Sequence, residues 1–338
     1  MDNKVTKNRL ANFFTYHWIT FLCAVLAVIF AWELIYTVFA VKLTTGQNFR
    51  YYYDQNLGYV NYEGFEKIID DEKPFSYDVI LSDFELLNTE YNALSARLVT
   101  KKGDAIFTDD YKGAGGDAQT RARTIIDSES VINYERLLKN GKEYLANFLK
   151  EEYKSLTQDE KEELAIDYSR FNEVYDREKI KQNFLSRNKR DNRFRKAEDR
   201  EQGIASEIVR IEKLAKEISD FDYLLKNAPK DLFFRYTKFS QAIEFADERF
   251  LANYIEYQQD EISNGKENVI YGIKLEELKG GENKKKTKDY FRLSDFSTSE
   301  KIVLLVFDFT NDQPDLQYET VSFINMVVRT FSDLYDNR

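Results

Sequence analysis

Carboxylates dominate the chemistry this chain can offer: 59 aspartates and glutamates stand against 49 lysines and arginines. Adjacent acids occur at Asp70/Asp71 and at Asp109/Asp110. Glycoside hydrolysis needs two carboxylates facing each other across a cleft. With so many acids in the chain, adjacency alone selects no pair, so an envelope hydrolase is the least favoured of the readings below. His17 and Cys23 are the only residues of their types. They exclude a His/Cys zinc cluster and an intrachain disulfide, and leave few routes to a Ser-His-Asp or Cys-His nucleophile. Asp308, Thr310, Asp312 and Glu319 match the 1, 3, 5 and 12 spacing of a calcium loop. The sixth position is Gln313 rather than Gly, and the preceding segment reads as strand, so the stretch is read as a polar surface loop. Neither a P-loop nor G-x-G-x-x-G is present. No cofactor, no metal and no enzymatic activity are expected.

Arg187–Arg200 (RNKRDNRFRKAEDR) carries seven basic and three acidic residues. Such a cluster suits either a solvated connection between helices or an anionic target, namely envelope polymer or lipid headgroups. The whole chain carries a formal charge of −10. That argues against nucleic acid as a partner, because affinity for it rests on neutralising phosphates. The length of 338 residues suits one large domain or two modest ones.

These residues are positioned by a chain that begins with a membrane-type segment. WITFLCAVLAVIFAW, Trp18–Trp32, contains no charge, and the uncharged stretch from Phe13 to Trp32 is 20 residues. Tyr16, His17 and Trp18 flank one end, and Trp32 and Tyr36 the other, as in an interfacial aromatic belt. Glu33 sits at the outer interface if the span is Phe13–Trp32. It lies in the hydrocarbon, needing a polar partner, if the span is Trp18–Val41. Lys4, Lys7 and Arg9 precede the segment, which favours an N-terminus inside and the rest of the chain outside the cytoplasm. An uncleaved single-pass anchor is preferred to a signal peptide, since the apolar stretch exceeds the usual length and Glu33 interrupts the approach to a cleavage site. The expected organisation is a cytoplasmic tail (1–12), an anchor (13–41), an α/β lobe from 43–120 and 266–338, and an inserted helical lobe (121–265).

Within the first α/β segment, Asn48–Tyr53 reads as a strand, Tyr62–Asp71 as a helix and Tyr77–Leu81 as a buried strand. Glu85–Thr100 follows as a helix, and Asp104–Thr108 as a strand. This order suggests a doubly wound sheet. The middle segment is almost free of Gly and Pro. Thr157 with Glu160 forms a capping box, ahead of a stripe of Leu164, Tyr168, Phe171 and Tyr175. Ile204–Leu225 and Leu232–Phe250 repeat the helical spacing, so a bundle is expected. In the last segment, Val269–Leu275 reads as a strand, Tyr290–Leu293 as its hairpin partner, Lys301–Phe309 as a central buried strand and Thr320–Tyr335 as a helix.

NFRYYYDQN, GFEKIID, YDVILSD, ELLNTEYNALSARLVTKKGDAIFTDD and KIVLLVFDFTNDQPDLQYETVSFINMVVRTF together resemble the type 2 periplasmic (extracytoplasmic solute-binding) fold, over about 130 residues. The YHW before the anchor resembles small membrane-tethered relatives in Gram-positive bacteria. The chain departs from that family in lacking a lipobox cysteine and in having a helical second lobe. The resemblance implies a ligand at the carboxyl ends of the strands. That rim holds Tyr53, Asp54, Asp83, Asp109 and Asp110, a set suited to a cationic or hydroxylated ligand or a metal ion, or to ordinary capping of strands and helices. A hinge near Gly113–Gly116 and Asn264–Asn268 would let two lobes close. Two functions follow: a solute-binding-like receptor for a small molecule, or a structural subunit of a membrane complex or transporter with a vestigial cleft. The bilayer is a partner in both.

Overall fold

A computed structural model describes residues 18–39, 48–54, 57–76, 81–87, 103–110, 121–128, 130–189, 191–237, 269–293, 298–308, 318–336 and 338. The chain divides into two units, Met1–Leu43 and Thr44–Arg338. In the first, helix α1 covers Trp18–Phe39, 22 residues. At 1.5 Å per residue it is about 33 Å long, close to the thickness of bilayer hydrocarbon. Trp18–Tyr36 is long and apolar enough to cross a membrane, a property a signal sequence shares. Trp18 opens the helix, while Trp32 and Glu33 lie within it. The expected tail, with Lys4, Lys7 and Arg9, lies outside the described residues.

The second unit is built on β1 (Asn48–Asp54), β2 (Gly58–Val60), β3 (Leu81–Leu87), β4 (Ala105–Asp109), β5 (Phe233–Tyr236), β6 (Val269–Lys274), β7 (Phe291–Leu293) and β8 (Ile302–Val306). Six of them form a mixed sheet in the order β3-β1-β4-β8-β6-β5. β1 runs parallel to β3 and β4, and the pairs β4–β8, β8–β6 and β6–β5 are antiparallel. β2 and β7 form a separate antiparallel ribbon.

Every residue of β4 and β8 is buried, so these central strands have no solvent face. Two cores result. On one face, Phe49, Tyr51, Tyr53, Phe107, Ile302, Leu304 and Val306 meet the helices. These are α2 (Tyr62–Glu72), α4 (Tyr134–Ala146), α5 (Gln158–Ala165), α6 (Phe171–Val174), α7 (Arg177–Arg187), α8 (Ala197–Asn227) and α9 (Glu319–Phe331). On the other face, Tyr52, Ile106, Val303 and Leu305 pack under Ala122, Ile125 and Ile126 of α3 (Arg121–Asp127). The period of two in each strand thus feeds both cores. Gly272 permits the closest approach: a Cβ there would lie 2.4 Å from the Leu304 carbonyl oxygen of β8. Gly103 enters β4 at a φ of 104°, with the Tyr52 ring against its α-carbon.

Among the described residues, helices of the segment read as an inserted helical lobe pack directly on the sheet. Leu137, Leu145, Ile211, Leu214, Ile218 and Phe221, all from the middle segment, share one core with the sheet. The Tyr134 hydroxyl of α4 donates to the Leu304 carbonyl of β8 at 3.4 Å. The physical reason is that β4 and β8 are apolar on both sides, and these helices supply the cover one side needs. Four element assignments also change. The start of the helix read from Glu85 becomes part of β3, because alternating Phe84 and Leu86 pair alongside β1, and residues 77–80 of the strand read at Tyr77–Leu81 lie outside the described residues. Residues 88–100 lie outside the described set. Of the helical spacing read after Pro229, Phe233–Tyr236 forms β5, whose aromatics pair with β6, and Phe239, Ile243, Ala246 and Phe250 lie outside the described residues. The Leu164–Tyr175 stripe breaks between α5 and α6, where the Tyr175 hydroxyl donates to the Ala165 carbonyl at 2.6 Å. β7 pairs with β2, not β6. The capping box is present in full, with the Thr157 side chain and Glu160 bonded reciprocally. The hinge residues Gly113–Gly116 and Asn264–Asn268, and the calcium-loop positions Thr310 and Asp312, lie outside the described residues.

A buried polar network fastens α8 to α9. Arg329 meets both carboxylate oxygens of Glu217 at 3.0 Å and also contacts Asp220. Asn325 donates to the Glu217 side chain at 2.8 Å and accepts from the Tyr335 hydroxyl at 2.8 Å. Burial works against the Arg329 charge, but Glu217 and Asp220 hold its guanidinium above the ordinary value. Truncating the centre of the sheet, Leu304→Ala, is expected to cost about 2–5 kcal/mol. Val209→Ala on exposed α8 surface should change stability by less than about 0.5 kcal/mol. Denaturant midpoints of the two variants test whether β8 is the buried centre.

Candidate functional site

The carboxyl ends of β1 and β4 lie side by side, since Tyr53 is in register with Phe107. Asp54 and Asp109 therefore come together, as the rim reading requires. Both face Arg121, the first residue of α3, at 3.6 Å and 2.6 Å. Asp110 meets the Nε of Arg123 at 3.2 Å. The guanidinium of Arg123 also lies 5.8 Å from the centre of the Tyr236 ring, whose hydroxyl donates to Asp127 at 2.8 Å. The rim is thus an ion-paired seam joining strand ends to α3. Asp54 is fully buried.

Tyr53 also differs from the expected ligand group. Its ring is buried beneath the β2–β7 ribbon, and its hydroxyl donates to the Tyr59 carbonyl at 3.1 Å. Burial, and then the charge of Asp54, push its phenol well above the ordinary range. Asp83 is not at the rim. It pairs in register with Arg50, while Leu86 is the residue beside Tyr53. β3 runs on to Leu87, four residues past Asp83, so Asp83 falls about 13 Å short of the carboxyl end. Asp308, from the calcium-loop spacing, pairs with Arg136 at 3.1 Å. Among the described residues no group of three or more His, Cys, Asp or Glu is placed to hold a metal.

A second acidic cluster lies at the opposite rim, and the sequence reading names only one of its members, Glu319, as the last position of the calcium-loop spacing. Asp104 enters β4, and its carboxylate accepts from the Arg50 amide at 2.8 Å. The residue is half-buried, but its carboxyl group is desolvated, which pushes it up to about 7. Glu319 opens α9, is buried, and accepts from the Ser76 amide at 2.7 Å and from the Ser76 hydroxyl. Burial raises it, with the Ser76 hydrogen bonds and the charges of Arg210 and Lys213 opposing. Arg210 is itself held by Glu207 and by the Tyr144 hydroxyl, and Lys213 by the carbonyls of Lys73 and Phe75. The one sequence signal for this cluster is an acid at the first position of an otherwise apolar element, in DAIFT and in ETVSFINMVV. Chemically, the cluster joins α9 and the α2–β3 connection to the start of the sheet.

No family model matches the chain, and no curated protein or solved structure matches it.

Two outcomes follow. Arg121→Ala removes the cation from the Asp54/Asp109 seam and is expected to destabilise the protein by about 1–3 kcal/mol in chemical denaturation. Asp104 binds a proton more tightly folded than unfolded. Its contribution to stability is therefore present below the ordinary carboxyl value of 3.8 and is lost as pH rises to about 7. Asp104→Asn should flatten the fall in stability across that window, measured by denaturation at stepped pH.

Proposed function

We propose that the chain is a single-pass membrane protein whose Thr44–Arg338 unit lies outside the cytoplasm and works without catalysis, as a structural or assembly subunit of a membrane complex. The observation that carries this reading is the rim itself: the residues best placed to receive a ligand are occupied by Arg121 and Arg123. A receptor of the solute-binding type needs those groups available and needs two lobes to move, whereas the helical segment shares the core of the sheet. The membrane placement is supported by α1 and by the basic residues before it.

An exposed apolar patch adds support for partner binding. Tyr59 and Tyr62 are exposed beside β3, as is Leu86 on that strand. Tyr62 stacks on Phe84 at 5.6 Å, and Arg292 lies 4.3 Å from the centre of the Tyr59 ring. Aromatic side chains with an arginine, next to an edge strand, have the composition of a protein interface.

Two measurements test the reading together. The full chain should stay with membranes through alkaline carbonate, and deletion of Trp18–Phe39 should release it. Its melting temperature should stay constant across sugars, amino acids, peptides, nucleosides and divalent ions. A ligand at a hundred times its Kd would add about 2.7 kcal/mol of stability. A shift of that size would overturn the structural reading and restore the receptor.

A further inference from the structure

The basic stretch between α7 and α8 carries seven basic and three acidic residues on a chain that is acidic overall. α7 and α8 pack together, and the connection between them makes a tight turn at Asn192–Phe194. The turn is seated by Phe194, whose ring meets Phe184 edge-on at 4.9 Å. Gly203 of α8 makes room for both rings, since a Cβ there would lie 2.6 Å from Phe184 and 2.7 Å from Phe194. The backbone of this tip is therefore fixed.

The charges on it sort into two sets. Arg193 is neutralised by Asp191, and Arg187 by the buried Glu207. Lys189, Arg195 and Lys196 are exposed and make no ion pair among the described residues. Arg200 is exposed and folds back over the turn, donating to the carbonyls of Phe194 and Arg195 at 3.3 Å. Lys196 caps α8 and Arg200 follows four residues later on the same side, with Asp199 beside them and Glu198 on the opposite side.

The tip also stands at a definite end of the domain. Phe49, at the start of β1, packs on Phe75 at 4.9 Å. Lys213 of α8 bonds the Phe75 carbonyl at 2.6 Å, so this turn of α8 lies at the rim where the chain enters the sheet. From Lys213 back to Lys196, α8 runs about 25 Å further. Residues 197–206 of that stretch contribute no buried side chain. At its other end α8 leads into β5, whose Phe233 pairs with Ile273 near the far rim. Eight residues, 40–47, join α1 to β1, a reach of at most about 30 Å when extended.

We propose that the α7–α8 tip, through Lys189, Arg195, Lys196 and Arg200, is a docking surface for anionic lipid headgroups of the bilayer that holds α1. This rests on the reading of α1 as a membrane anchor. Each lysine or arginine beside an anionic surface strengthens binding about fivefold, and salt screens the effect. A second signal of this kind would hold the domain against the membrane and fix its orientation there.

The test places one fluorophore on the tip of the full chain through Cys23→Ser and Asn192→Cys, in vesicles carrying a headgroup-labelled acceptor. Energy transfer should be at least about twofold higher in vesicles containing phosphatidylglycerol than in phosphatidylcholine alone, and should fall to the neutral level in concentrated salt. Lys189→Glu, Arg195→Glu and Lys196→Glu together should abolish the difference with an unchanged melting temperature. Equal transfer in the two vesicles overturns the proposal. So does tight binding of soluble polyphosphate to the tip with no approach to the lipid, which would assign the surface to a soluble polyanion. Failure of the anchor reading shows separately, as a chain that does not float with neutral vesicles. The tip is then judged by whether the chain floats with anionic vesicles and the triple variant does not.

Discussion

The antiparallel pairing of β4 with β8 governs the architecture of the domain. Both strands are buried along their whole length, so the sheet exposes apolar side chains in two directions from its centre. A sheet of that kind cannot stand with one face in water. Among the described residues, α3 and Val131 cover one face, and the larger face takes seven helices, among them the long α8. The apolar stripes of these helices are used in covering β1, β4 and β8.

Charge placement follows from the same demand. Helices packed against a buried sheet bring their polar residues inside at their ends and crossings, and each must find a partner there. Glu217 and Asp220 find Arg329, Glu207 finds Arg210, and Asp54 and Asp109 find Arg121. Buried pairs of this type contribute little net stability, but removing one member is costly, so they fix which helix lies where. The rim acids belong with this set. Their position at strand ends suits ligand binding on topological grounds, and the arginines at the start of α3 give them a structural use instead.

What the sequence makes legible divides along physical lines. The apolar helix is legible because nothing tertiary is needed to define it. α8 is legible because Ile211, Leu214, Ile218 and Phe221 keep one helical face over many turns, and α5 because Thr157 and Glu160 form a local box. β8 is legible because five consecutive apolar residues fit no half-exposed element. The misplaced elements are those decided by distant partners. Phe84 and Leu86 suit a helix or a strand until β1 is beside them, and Phe233–Tyr236 joins the sheet only because β6 offers an edge. Asp83 misses the rim because β3 continues past it to Leu87. Asp104 and Glu319 leave almost no trace, because their proximity depends on three elements far apart in the chain.

The register of β4 with β8 has a consequence for how the protein is made. Ala105 pairs with Val306 and Asp109 with Ile302, so the central ladder joins residues roughly two hundred positions apart. Such contacts close slowly, because the loop entropy is spent before any pairing is gained. During synthesis α1 is complete long before β8 emerges, and the first three strands must wait with their apolar faces uncovered. α9, which lines much of the larger core, comes later still. The nascent domain is therefore most exposed to aggregation in the interval between synthesis of β4 and completion of the last helix.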